Sequence, residues 1–314
     1  MKKRRIKPIV WVISGIAIVV IVGIVILIGQ IRYRNSVPYK LKTLGYTTEE
    51  VKVIETRSKT EIDKILKLKY SKSLSSLLQE KYFIFDNLDR YLAYQEKNAK
   101  EKASHVVSMV NVHADYEFYT NTKETDTSKG NLILVNKYNR LTEKFQPDDL
   151  VDISNQYAYG TPEIRDEVYK QFRSMFNAAK KDNITLIITS GYRDYAFQEN
   201  LWNKYSDQKG EEWADSIAAR AGFSEHQTGL SMDILTYNST LDTFEQTDAF
   251  KWLSENAHKY GFILRYPKDK EEITGYSYES WHYRYVGVEV ATKVKELGIT
   301  FDEYYAYFIA QNKK

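Results

Sequence analysis

The chain has no cysteine among its 314 residues. That excludes disulfide staples, a lipid-modified N-terminal cysteine and a cysteine nucleophile. A G-x-S-x-G elbow is also missing, which removes the usual signature of a serine hydrolase of the α/β class. No internal repeat is visible. Excess charge is lacking too: Lys2, Lys3, Arg4, Arg5 and Lys7 sit at the start, and without them 40 cationic face 42 anionic residues. The pI of 8.6 is thus largely an effect of the leader, and the rest of the chain has no basic excess suited to nucleic acid.

Residues 9–31 form an uncharged run dominated by Ile and Val, interrupted only by Ser14, Gly15, Gly23, Gly29 and Gln30. A bilayer core of about 30 Å takes about 20 apolar helical residues. No A-x-A-like exit follows the run. The expectation is an uncleaved single-pass anchor, with residues 1–8 as a cytoplasmic leader and the bulk of the chain extracellular. A buried core helix is the alternative, though five clustered cations beside uniform apolarity speak against it.

Residues 32–102 read as short helices, expected to form a spacer; an extra layer of the main domain is the other reading. Thr47 with Glu49 and Glu50 marks one helix start, Thr60 a second, and Tyr91, Leu88 and Leu92 give helical spacing over residues 85–100. Beyond 103, Val106, Val107, Met109, Val110 and Val112 predict a strand, and residues 132–135 another. Pro162 is expected to open a helix with Ile164, Val168, Phe172, Phe176 and Ala179 on one face. Strands are expected near 185–189, 232–236, 262–264 and 281–285, with helices over 195–205 and 248–260 and a helical tail over 288–311. Helices and strands without regular alternation indicate an α+β domain, placed at 103–298 with residues 299–314 as a tail.

Three segments carry chemistry: Ser190-Gly191-Tyr192-Arg193-Asp194, with Gln198 after it; Ser224-Glu225-His226-Gln227-Thr228-Gly229-Leu230-Ser231-Met232-Asp233; and Glu279-Ser280-Trp281-His282-Tyr283-Arg284. His226, Asp233 and His282 make a two-imidazole, one-carboxylate set that suits catalytic zinc, which commonly takes three protein ligands and keeps a fourth place for water. A turn at Gly229 lets His226 and Asp233 reach one ion; structural histidines are the alternative. Glu279 is three residues from His282, and odd spacing on a strand puts the two on opposite faces. Glu279 therefore reaches the site only through a bulge or bend at Ser280, and is otherwise a surface acid. Arg193 offers a planar fork for a carboxylate, or an ion pair with its neighbour Asp194.

Taken together, the segments resemble the VanY-type D-alanyl-D-alanine carboxypeptidases, zinc metallopeptidases that include L,D-carboxypeptidases. The family pattern S-G-Y-R, S-x-H-x-x-G-x-A-x-D, E-x-W-H is matched in order by residues 190–193, 224–233 and 279–282, and the likeness extends over about 130–298. The resemblance implies a compact domain with a small antiparallel sheet at a zinc cleft. It further implies His226, Asp233 and His282 as Zn2+ ligands, Glu279 as catalytic base, and Arg193, Gln198 and Ser224 as the residues holding the terminal D-alanine of a peptidoglycan stem peptide. Removal of that D-alanine is the implied activity; an L,D-carboxypeptidase acting on tetrapeptide stems and a non-catalytic wall-binding module are the alternatives. Ser231 replaces the usual Ala, and Asp194 brings a negative charge beside Arg193, so Asp194 is expected to point away.

Overall fold

The computed structural model describes residues 8–311. The leader cations Lys2, Lys3, Arg4, Arg5 and Lys7, and the last three residues of the tail, lie outside the described residues. The chain divides between Val107 and Ser108 into two compact units.

The first unit is helical. Helix α1 (Pro8–Arg34) is long and apolar enough to cross a membrane, and its membrane-length window is wholly exposed. Five short helices follow: α2 (Val37–Leu44), α3 (Thr48–Glu55), α4 (Lys59–Ile65), α5 (Leu74–Gln79) and α6 (Leu88–Lys97). Thr47 caps α3 in a capping box with Glu50. The box that opens α4 is built on Ser58 and Glu61, so Thr60, the expected start, lies inside the first turn; Ser-x-x-Glu outcompetes Thr because two backbone donors are satisfied at once. Leu41, Val51, Ile54, Ile65, Leu74 and Leu88 form the core of these helices.

Helix α7 (Ala103–Asn111) replaces the strand expected at 106–112. Val106, Val107, Met109 and Val110 are all buried. A helix buried on every side shows no 3.6-residue period, so β-branched content misled the reading.

The second unit begins with the small parallel pair β1 (Lys123–Glu124) and β2 (Asn139–Arg140). Residues 132–135 do not form the expected strand. A 3-10 turn runs through Leu132, and carbonyls of this stretch are consumed by side chains instead of a ladder: Thr125 Oγ1 donates to Leu134 O, and Arg284 Nη2 to Ile133 O. The antiparallel pair β3 (Leu150–Asp152) and β4 (Glu163–Arg165) comes next. Helix α8 (Asp166–Lys181) starts four residues after Pro162, because Glu163–Arg165 pair as a strand first.

The main sheet has the order β5-β6-β8-β7, antiparallel throughout, from β5 (Ile187–Ser190), β6 (Ser231–Leu235), β7 (Phe262–Leu264) and β8 (His282–Tyr285). Strand alternation sorts its residues. Ile188, Met232, Ile234, Tyr283 and Tyr285 share a core with Val168, Phe172 and Met175 of α8. Asp233 and His282, direct partners across β6 and β8, belong to the alternate, polar set. Between the strands lie α9 (Tyr195–Lys209), α10 (Glu211–Ile217), α11 (Asp248–Asn256) and α12 (Glu271–Thr274).

The tail is not one helix. Helix α13 (Val288–Leu297) ends at Gly298 in the left-handed region, and Thr300 caps the short α14 (Phe301–Tyr304) with Glu303 in a capping box. Phe301 and Asp302 are buried, so this stretch belongs to the packed unit.

Candidate active site

The first segment leaves β5 and turns at Gly191. A Cβ there would stand 2.2 Å from Glu163 O, the carbonyl that accepts from Tyr192 N at 2.7 Å. Only a residue without a side chain lets the two backbones approach. Gly191→Ala is therefore expected to destabilise the protein by about 1–3 kcal/mol, as overpacking does, checked by the denaturant midpoint at constant m. Asp194 caps α9, accepting from Phe197 N at 2.7 Å. It is exposed and committed to the helix, as expected for a charge that must not oppose Arg193.

Arg193 reaches into the cleft. Its Nε donates to Ser190 Oγ at 3.1 Å, Nη1 to Gln198 Oε1 at 3.2 Å and Nη2 to Asp233 Oδ2 at 3.2 Å. Nη2 also lies 2.6 Å from His226 Nε2. Gln198 is buried and has both ends of its amide engaged, Nε2 donating to Ala219 O at 2.8 Å. It holds the guanidinium.

The second segment is a 3-10 turn over Glu225–Thr228, capped by Ser224 and closed by Gly229 at φ 64°. Gly229 then hands the chain to β6. Two features favour glycine: the left-handed backbone, and a Cβ position 2.9 Å from Arg165 Cγ and Leu150 Cδ2. The turn brings His226 and Asp233 together, with His226 Nε2 3.5 Å from Asp233 Oδ1. His226 Nδ1 lies 2.7 Å from Gly191 O. A carbonyl only accepts, so Nδ1 carries the proton and Nε2 presents its lone pair.

His282 arrives on β8, its Nδ1 3.2 Å from Asp233 Oδ1 and 3.6 Å from Glu279 Oε2. Glu279 lies before the strand, across a turn at residues 280–281, with its backbone N–H donating to Tyr266 O at 3.1 Å. That turn suspends the strand's parity and brings both side chains to one place.

One donor atom from each of His226, Asp233 and His282 lies within 4.8 Å of the others. Donors about 2.0–2.1 Å from a common tetrahedral ion stand about 3.4 Å apart, close to the two separations at Asp233. Asp233 Oδ1 is buried and receives no hydrogen bond among the described residues. A buried oxygen left without a donor, flanked by two imidazole nitrogens, fits a divalent cation. The other histidines, His105, His113 and His258, belong to no such group among the described residues.

Burial and charge divide the titrating groups. Burial, helped by Asp233, pushes Glu279 up to about 7. Burial and the Arg193 charge bring His226 down to about 4. Burial opposes protonation of His282 as well, but Asp233, Glu225 and Glu279 outweigh it and hold the ring at about 9. Burial also opposes ionisation of Asp233, yet His226, His282 and Arg193 keep it well below the usual carboxylate range. An acid with its proton equilibrium near neutrality beside a ligand cluster is suited to take and return a proton.

The cleft, of about 310 Å³, has apolar walls from Phe197, Leu201, Tyr205, Ile217, Leu241 and Trp281. Two features were not anticipated from sequence. Tyr266 packs its ring 5.0 Å from that of His282. Glu225, fully buried beside His226, bonds Arg265 and Arg284; in the sequence it stood in the motif without a role.

The family model described as VanY, D-alanyl-D-alanine carboxypeptidase, matches residues 161–288. The putative carboxypeptidase YodJ of Bacillus subtilis is 42% identical over 184 residues, covering 55% of this chain and 66% of that protein, just under two thirds of its length. A D-alanyl-D-alanine carboxypeptidase of Enterococcus faecalis is 36% identical over 196 residues, covering 59% of this chain and 69% of that one. The solved LdcB LD-carboxypeptidase is 38% identical with a TM-score of 0.57, over 60% of this chain and 91% of that structure. With the motif order, the sheet and the ligand cluster in agreement, the chain belongs to the VanY family of D-alanyl-D-alanine carboxypeptidases.

Proposed function

We propose that the protein is a zinc carboxypeptidase that removes the C-terminal D-alanine from peptidoglycan stem peptides. The observation that carries this reading is the convergence of His226 Nε2, Asp233 Oδ1 and His282 Nδ1 with Glu279 3.6 Å from the last. His226, Asp233 and His282 would hold the ion. Zinc, when bound, supplies a Lewis acid toward the scissile carbonyl and acidifies water at neutral pH.

The remaining work falls to side chains of this chain. Arg193 receives the terminal carboxylate on its fork; Asp233, which now accepts from Nη2, would instead serve the ion. Ser190 and Gln198 keep the fork in plane. Ser224 acts through the turn it caps, accepting from His226 N at 3.3 Å. Glu279 takes the proton of the attacking water and delivers it to the departing amine, so that it starts and ends ionised. The apolar walls exclude bulk water and take the side chains that precede the terminal residue.

The length and apolarity of helix α1 support a membrane anchor, and the basic residues before it favour the cytoplasmic side, which puts the catalytic unit outside the cell; residues 32–102 then serve as a spacer. A second reading, removal of D-alanine from tetrapeptide stems, is favoured by the likeness to an LD-carboxypeptidase.

Both are tested on the full-length protein with defined pentapeptide and tetrapeptide stems, read by mass spectrometry. Loss of one D-alanine from the pentapeptide, abolished by a chelator and restored by zinc, is the expected result. Trimming of the tetrapeptide alone moves the assignment to the second reading. Chelator-resistant trimming, or none of either peptide, rejects the zinc carboxypeptidase.

A further inference from the structure

We propose that Glu225 is a positioning residue that accepts the Nε2 proton of His282 and so leaves Nδ1 as that ring's metal-binding nitrogen. The inference rests on reading His226, Asp233 and His282 as ligands, and goes beyond it to the group that sets which nitrogen of His282 is free.

The two histidines face the cluster through different atoms. His226 presents Nε2, with Nδ1 against Gly191 O. His282 presents Nδ1 toward Asp233 and Glu279. A neutral imidazole carries one proton, so a ligating Nδ1 requires the proton on Nε2. His282 Nε2 is buried and without a hydrogen-bond partner among the described residues, and so is Glu225 Oε2. These two orphans lie 3.8 Å apart. A relative shift of about 0.8 Å brings the two to the usual N–H···O distance of about 3.0 Å. Metal-ligating histidines nearly always give their second N–H to a carboxylate or carbonyl in this way; Gly191 O does so for His226, and Glu225 completes the pair.

Glu225 is aimed for the task. Its Oε1 accepts from Arg265 Nε at 2.8 Å and Arg284 Nη1 at 2.7 Å, with all three side chains fully buried. Arg284 spends its other donors on backbone: Nε on Tyr285 O at 2.9 Å, and Nη2 on Asn131 O at 2.9 Å and Ile133 O at 2.7 Å. Arg265 grips Asp302 of α14, Nη1 to Oδ2 at 2.6 Å and Nη2 to Oδ1 at 3.3 Å. Asn136 Nδ2 holds Asp302 Oδ1 at 2.8 Å. Two acids balance two guanidiniums, and Oε2 is the one oxygen of Glu225 left to face His282. An apolar core of the same volume is often as stable as such a buried ionic cluster, so stability alone does not account for it. Asp302 lies outside residues 161–288, so this support reaches beyond the segment that matches the family.

The test uses the full-length protein and its Glu225→Gln variant. Gln keeps an oxygen for the arginines but turns an N–H2 toward His282 Nε2, which then meets a donor. Zinc affinity, measured by competition with a chromophoric chelator, is expected to fall 10- to 100-fold, while the chelated variant stays folded by circular dichroism. Wild-type affinity in the folded variant overturns the proposal, since charge balance for the arginines would then be the whole role of Glu225. The wild type supplies a measurement independent of the variant's folding. With only five histidines in the chain, 15N-histidine labelling and His226→Ala and His282→Ala controls assign the ring signals. In the zinc-loaded protein, a proton on Nε2 of His282 and on Nδ1 of His226 is expected; a proton on Nδ1 of His282 overturns the proposal. If instead the wild type binds no zinc, the ligand reading itself fails, an outcome distinct from wild-type-like binding by Glu225→Gln.

Discussion

Glu279→Ala is expected to lower kcat by roughly 10²- to 10⁴-fold, the usual contribution of a general acid–base group, while zinc content stays at the wild-type level. Glu279 is not one of the three converging donors, and its backbone is held by Tyr266 O, so its loss removes the proton carrier and spares the ligands. A variant that trims stem peptides at the wild-type rate ends the assignment. The pH profile supplies a second check with a definite sign. A base works ionised, and burial raises Glu279 from its ordinary 4.5 to about 7. Below that value the ionised fraction, and with it kcat/KM, drops tenfold per pH unit. A divalent cation nearby favours the ionised form, so the acid limb is expected above 4.5 and no higher than about 7. A limb at or below 4.5 would mean that the charge of the ion, or solvent, outweighs the burial of Glu279 during turnover.

Arg193→Lys and Arg193→Ala are expected to reduce kcat/KM for free-acid peptides by about 30- to several-thousand-fold. Truncating one partner of a buried charge pair costs about 2–5 kcal/mol. Lys keeps the charge but loses the fork, and Ala also strands Ser190 Oγ and Gln198 Oε1. The decisive comparison is a stem peptide whose terminal carboxylate is amidated. The wild type should discriminate strongly against it, and the variants weakly, because only the clamp senses the charge. Equal losses on acid and amide would show that Arg193 supports the ligands and does not read the terminus. Arg193 also touches His226 and Asp233, so zinc content is measured alongside.

Much of the fold was legible wherever the residue pattern has a local physical cause. The helix expected over residues 195–205 is present with an observed extent of Tyr195–Lys209, and the structure shows Asp194 as its cap. The strand expected near 262–264 is observed at Phe262–Leu264, and the structure places Gly261 before it in the left-handed region. Two of the errors share a cause: tertiary packing overrode local signals. Val106–Val110 looked like a strand because buried helices lose their polar face. Residues 132–135 had strand composition but gave carbonyls to Arg284 and Thr125. The tail expected to be helical over 288–311 is interrupted at Gly298, where Gly followed by Thr-x-x-Glu is a local stop-and-start signal.

The residue types and their order are properties of the sequence alone. Two imidazoles, two acids and one guanidinium in three short segments point to zinc peptidase chemistry through their likeness to the VanY pattern, since spacing alone left structural histidines, a surface acid and an ion-paired arginine open. The direction in which each group points was left to the tertiary structure. Parity along a strand would have sent Glu279 away from His282; the turn at 280–281 brings it back. The network of Glu225, Arg265, Arg284 and Asp302 draws on residues up to 77 positions apart (Glu225 to Asp302), and no local period connects them. Such charges are tolerable in a dry interior only when each finds its counterion, and only the folded chain decides which one it meets.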